Sequence, residues 1–206
     1  MEFDAVILDA GDFPVNEMPL SIMRNAKFMC CCDDAAVEYI NRIGMPDAIV
    51  GDGDSLPQIF KDEYKDIIHI EQEQADNDQT KATRICINNG AHRIAYLGAT
   101  GKREDHTLGN ISLMVQYLHD FDITPVMFTD YGYFTQARGK QTFKTFPHQQ
   151  VTIINFGCKN LKGDGLKWEI YPFGNWWQGT LNEAIGDDIT ICGDNYYLVF
   201  RTYEPK

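Results

Sequence analysis

From Ala5 to Asp130 the chain alternates short apolar runs with amphipathic stretches, and this alternation limits the possible fold more than any other feature. The runs are 5–10 (AVILDA), 27–32 (KFMCCC), 47–52 (DAIVGD), 66–71 (DIIHIE), 93–99 (RIAYLGA) and 124–130 (TPVMFTD). Between them lie "DAAVEYINRIG", "LPQIFKDEY", "NDQTKATRICINNG" and "DHTLGNISLMVQYLHDF". In the last of these, Leu108, Ile111, Val115 and Leu118 recur at helical spacing. Strand and helix in turn predict an α/β domain around a mainly parallel sheet. From Tyr131 onward the texture changes to "YGYFTQARG", "QTFKTF", "QQVTIINFG", "DDITICG" and "NYYLVFRTY". Aromatic and β-branched residues punctuated by glycine, with no further helix, predict a small antiparallel sandwich or barrel.

Ligands of an open α/β sheet bind outside the carboxyl ends of its strands. Acids collect there. Asp33 and Asp34 follow the second run, Asp52 and Asp54 the third, Asp76 and Asp78 the fourth, and Asp105 the fifth. Taken singly, Asp33 or Asp34, Asp78 and Asp105 each stand where a helix N-cap belongs. Taken together they suggest a metal-bridged phosphate site. "DAIVGDGDSLP" poses the choice most sharply, because Asp52 and Asp54 flank Gly53 and repel unless a cation or a set of donors separates them. The stretch is either a polar turn of solvated carboxylates or a magnesium site. In "GATGKREDHTLGNI", 98–111, two glycines bracket a turn, Lys102 and Arg103 follow, and Asp105 opens a helix with His106 and Asn110 one turn apart. A glycine turn, two cations and a helix start can cradle phosphate oxygens, although the spacing is neither GxGxxG nor a P-loop.

Thirty acidic against eighteen basic side chains give a net charge of −12, and no Lys/Arg cluster is visible. Such a chain is repelled by nucleic acid and by anionic membrane, and an anionic ligand would need a divalent cation as mediator. No stretch approaches the ~18 uninterrupted apolar residues of a membrane span. The N-terminal "MEFDAVILDAGDFP" reads as a first strand and not as a signal peptide. Of six cysteines, Cys30, Cys31 and Cys32 are consecutive and no CxxC occurs, so reduced, mostly buried thiols in a cytoplasmic protein are expected.

"GDGDS", followed by "NDQTKA" and "GATGKREDHTLGNI", resembles the thiamin pyrophosphokinase family. The likeness includes "CCDDAA" at the family's Asp-Gly-Gly-Ala position and continues into "GDGLKWEI" and "GTLNE". The motif Gly-x-x-Gly-x-Arg-x-Asp-His-x-Leu-x-Asn is nearly complete. The resemblance implies a Rossmann-like α/β catalytic domain, placed at 1–135, and a C-terminal β-sandwich that binds thiamin, placed at 136–206. It implies transfer of the pyrophosphoryl group of ATP to the thiamin hydroxyl with Mg²⁺, in homodimers whose active sites are shared between subunits.

On that reading Asp52, Asp54 and Asp78 hold Mg²⁺, and Arg103, with Lys102, neutralises charge on the transferred group. Asp105 holds that arginine or contacts the metal and its waters. Asp54 or Asp78 accepts the proton of the thiamin hydroxyl. Asp33, Thr80, Lys102, Arg103, His106 and Asn110 belong to the ATP site. Trp168, Trp176 and Trp177 are candidates for a wall against the cationic thiazolium, with Thr180 and Asn182 at the pyrimidine edge. The chain departs from the family pattern in places: Lys-Asp-x-Thr-Asp reads Asn77-Asp78-Gln79-Thr80-Lys81, Asp-Gly-Gly reads Asp33-Asp34-Ala35, and Ser-Asn-Glu reads Leu181-Asn182-Glu183. Two other readings stand beside this one. A magnesium-dependent phosphatase or nucleotide hydrolase would also use strand-end aspartates, although the first strand gives Asp9 and Asp12 spaced by three and not the DxD of a haloacid-dehalogenase-type enzyme. The departures at Asn77, Lys81 and Leu181 would also suit a non-catalytic thiamin- or nucleotide-binding module.

Overall fold

A computed structural model describes residues 1–52, 56–70 and 75–205. The chain divides into two compact units, Met1–Leu113 with Asp122–Asp130, and Met114–Phe121 with Tyr131–Lys206.

The first unit carries β1 (Ala5–Leu8), α1 (Glu17–Arg24), β2 (Met29–Cys32), α2 (Ala35–Arg42), β3 (Ala48–Gly51), α3 (Gln58–Glu63), β4 (Ile68–Ile70), α4 (Asp78–Asn88), β5 (Arg93–Leu97), the start of α5 (Glu104–Asp120), and β6 (Thr124–Phe128). All five strand pairings are parallel, in the order β6-β5-β1-β2-β3-β4. β1, β2 and β3 are buried along their whole length, as continuous apolar runs in a doubly covered sheet require. Each of the six expected runs contains one of these strands. The chain steps from β1 outward to β4, then returns to the other side of β1 with β5. The direction of winding therefore reverses between β1 and β5, and a crevice opens beyond their carboxyl ends.

α1 is a helix that the four expected helical stretches did not include; its Pro19 lies in the first turn, where its missing N–H has no acceptor to serve. Asn16 caps that helix by accepting from Met18 N (2.9 Å). In α5 the buried positions are Met114, Val115 and Tyr117, while Leu108 is exposed, so the buried stripe is offset from the one expected from 108, 111, 115 and 118.

The second unit is strand-rich and antiparallel: β7 (Gly132–Lys144), β8 (Gln149–Phe156), β9 (Leu161–Asp164), a 3-10 turn at Trp176–Gly179, β10 (Asn182–Glu183) and β11 (Asp188–Pro205). β11 pairs with β7 along most of its length, with β9 through its first part and with β8 through its second. The register shifts between Gly193 and Tyr196. Such a bulge bends a strand, and Ile153, Leu161, Phe173, Ile191, Tyr197 and Val199 share one core cluster. Gly139 and Gly193 lie opposite each other inside β7 and β11, so segments that glycine seemed to separate are single long strands. The fold class is the expected one, a mainly parallel α/β unit with a C-terminal β-rich unit.

Candidate active site

The loops after β1 and β5 lock together at the crevice. Gly11 N donates to Gly98 O (2.7 Å) and Asp12 N to Thr100 O (2.8 Å). Gly98 and Gly101 have φ of 61° and 86°, and a Cβ at either would collide with the β1 loop, at Asp9 O or at the Asp12 carboxylate. Only glycine fits this approach. The Lys102 ammonium donates back across the junction to Ala10 O (2.9 Å).

Below the junction lies a cleft of about 410 Å³ within the first unit. Of the predicted residues, Asp52, Asp78, Lys102, Arg103, His106 and Asn110 line it. Asp54 lies outside the described residues. Thr80 sits behind the cleft, buried, with its hydroxyl donating to Asn77 Oδ1 (2.8 Å). Asp33 adopts φ 45° and lies against Gly51. The exposed Asp105 grips Arg103 (Nε to Oδ1, 3.1 Å), and this hydrogen bond with the guanidinium holds its carboxyl below the usual carboxylate range.

The N-cap expectation is corrected at α4. Asn77 is the cap, accepting from Thr80 N (3.0 Å), which leaves the Asp78 carboxylate free of capping and turned to the cleft. Asp34 precedes α2 but makes no side-chain cap bond. Asp105 stands one residue inside α5, and its Oδ1 accepts from His106 N (3.0 Å). Asn110 joins the two sides of the cleft, donating to Ala99 O (2.9 Å) and accepting from Asn77 Nδ2 (3.1 Å).

Sequence reasoning passed over Asp9, Cys32 and Lys81, which line the same cleft. Asp9 is buried. Its Oδ1 accepts from the Cys32 thiol (3.3 Å), and Oδ2 has no hydrogen-bond partner among the described residues. Burial pushes its carboxyl up to about 7; the Cys32 hydrogen bond opposes this and the Asp78 charge adds to it. The available signal was a carboxylate directly after the apolar run Val6-Ile7-Leu8.

The donor set suits a hard divalent cation, since it offers carboxylate oxygens with room for water. Two of the three expected ligands face one cleft, and an orphaned buried carboxylate oxygen lies close by. Among the described residues no three acids, histidines or cysteines converge on a single point.

The second unit has its own cleft of about 460 Å³, lined by Trp168, Tyr171, Phe173, Thr180, Leu181 and Asn182 among others. Trp168 is half-exposed, and the Lys167 ammonium lies 4.9 Å from its ring centre. Asn182 sets the position of Trp168 by accepting from its N (3.2 Å) and donating to its O (2.9 Å), two bonds that use one of its two amide N–H groups. The Thr180 hydroxyl donates to Trp177 O (2.7 Å), so only its acceptor capacity faces outward. Trp177 is highly exposed and is not part of the cleft wall; Trp176 packs near Phe156.

Residues 20–127 match the family described as "Thiamin pyrophosphokinase, catalytic domain", and residues 132–200 match "Thiamin pyrophosphokinase, substrate-binding domain". The chain belongs to the thiamin pyrophosphokinase family. Solved structures agree at the level of fold. Thiamin pyrophosphokinase from Candida albicans superposes with a TM-score of 0.78 at 17% identity, covering 98% of this chain and 90% of that one. Thiamine pyrophosphokinase from Bacillus subtilis gives 0.76 at 18% identity, covering 97% and 99%. No curated protein matches the chain. Family membership carries the activity, formation of thiamin diphosphate by pyrophosphoryl transfer from ATP, and a general need for a divalent metal.

Proposed function

We propose that the acid-lined cleft of the first unit binds ATP with Mg²⁺, and that the aromatic cleft of the second unit binds thiamin. The observation that carries this reading is one cleft holding Asp52, Asp78, Lys102, Arg103 and His106 at the point where the sheet reverses its winding. Asp52, Asp54 and Asp78 would hold the metal, which when bound screens the triphosphate and polarises its oxygens. Arg103, oriented by Asp105, and Lys102, oriented by Ala10 O, supply fixed positive charge to the transferred group. The thiamin hydroxyl attacks the β-phosphorus, the bond from that phosphorus to the α-phosphate oxygen breaks, and AMP leaves. The hydroxyl proton passes to Asp54 or Asp78. Trp168, placed by Asn182, offers its face to the thiazolium cation, and Thr180 accepts from the pyrimidine edge.

The test is metal-free protein with ATP. EDTA-treated protein makes no AMP, and Mg²⁺ restores AMP formation only when thiamin is present. AMP formation that ignores thiamin would point to a nucleotide hydrolase.

Two copies of the chain form the functional unit, with each active site drawing on both subunits. The support is the exposure of Trp168, Tyr171, Trp177 and Leu181 on the second unit, a dense aromatic surface suited to a partner. Asp54→Asn protein mixed with Asn182→Ala/Trp177→Ala protein should then recover roughly a quarter of wild-type activity, because about half the dimers are mixed and each holds one intact site. Mass spectrometry of differently tagged chains establishes exchange. Exchange without recovered activity would mean that each site is built within one chain.

A further inference from the structure

Lys81 is 2% exposed, yet it lines the acid-rich cleft. Its Nζ lies 3.2 Å from Asp78 Oδ1. A lysine needed only to soften the net charge of this unit could sit on the surface, where it keeps its hydration. Burying an ammonium is expensive unless something in the protein or its ligand needs the charge there.

The same cleft must accept a triphosphate while presenting Asp34, Asp52 and Asp78 to it. Its other cations, Lys102 and Arg103, belong to the loop after β5 and not to α4. Lys81 is the cation on the α4 wall. It stands one helical turn beyond Asn77, on the same face, with its ammonium in the cleft.

We propose that Lys81 is a nucleotide-binding residue whose ammonium contacts the polyphosphate oxygens of ATP. Asp78 is one of its resting partners. When ATP enters, the ammonium turns from that carboxylate to the phosphate oxygens beside it, and ligation of a divalent cation by Asp78 would favour the same exchange. The exchange keeps a buried positive charge satisfied in both states and adds a point charge to the planar fork of Arg103 in the same cleft. The inference rests on the assignment of the cleft to ATP.

The test is equilibrium binding in EDTA, with ATP and adenosine as separate probes, so that turnover plays no part. Lys81→Gln should weaken ATP binding about tenfold or more and leave adenosine binding unchanged, as loss of a charge-assisted phosphate contact requires. Asp78 would be left unpaired in that variant, so Asp78→Asn and Asp78→Asn/Lys81→Gln provide a charge-neutral comparison. Asp78→Asn, which retains the ammonium, should bind ATP at least as tightly as wild type, and the double variant should again lose about tenfold relative to it. Equal ATP affinity for Asp78→Asn and the double variant would overturn the role of Lys81 and leave the cleft assignment standing. Wild-type protein that binds no ATP even with Mg²⁺ would overturn both.

Discussion

Asp54→Asn is expected to lower turnover at saturating Mg²⁺ by about a hundredfold or more, because on the proposed reading it removes a charged metal ligand, and to leave the protein folded. Asp52 already faces a cleft that holds Asp78 and the buried Asp9, so removing one negative charge from its neighbour relieves repulsion in the metal-free state. The metal-free variant therefore melts at the wild-type temperature or slightly above it, while Mg²⁺ stabilises it less than it stabilises wild type. Steady-state rates and thermal melts with and without Mg²⁺ read both effects. Near-wild-type turnover would reduce Asp52 and Asp54 to a polar turn.

The second large effect concerns Asp9 and stability. Its carboxyl has an ordinary value of 3.8 and is raised to about 7 in the folded chain. Between these values the folded state keeps a proton that the unfolded state has released. Stability is therefore fully present below about pH 4, falls as pH rises through about 7, and then levels off. The slope is about 1.4 kcal/mol per pH unit, and the loss is on the order of a few kcal/mol across the window. Asp9→Asn places a neutral group of the same shape in the same buried position. It should melt about 5–10 °C above wild type at pH 8, and the difference should shrink toward zero near pH 4. Melting curves from pH 4 to 8 decide the matter, and parallel curves for the two proteins would mean that Asp9 is charged in the folded state throughout.

The sheet of the first unit was legible because each parallel strand must be apolar on both faces, which leaves runs such as Ala48-Ile49-Val50 that little else explains. Pro19 concealed α1, since a proline reads as a breaker unless its place in the first turn is known. In the second unit Gly139 and Gly193 read as strand ends but sit opposite each other at a bulge, where the missing side chain leaves room for Cys158 and Tyr197 beside Gly193. At the site, the spacing of residues 98–110 carried enough pattern to mark residues that the structure brings to the cleft. Asp9 offered only a carboxylate directly after an apolar run, and Lys81 only a departure from the family pattern; burial gives both their character, and burial is a property of the assembled fold. Asn182 and Thr180 show a similar limit. Their residue types suggested ligand contacts, whereas part of their hydrogen-bonding capacity holds Trp168 and Trp177 in place.

Tracing the phosphates of ATP tests the central claim most directly. Pure protein is incubated with Mg²⁺, thiamin and ATP labelled at either the α- or the γ-phosphorus, and the products are separated. The account predicts γ-label in thiamin diphosphate, α-label in AMP, equal amounts of the two products, and no labelled orthophosphate or pyrophosphate. Label released as orthophosphate or pyrophosphate at a rate indifferent to thiamin would contradict it.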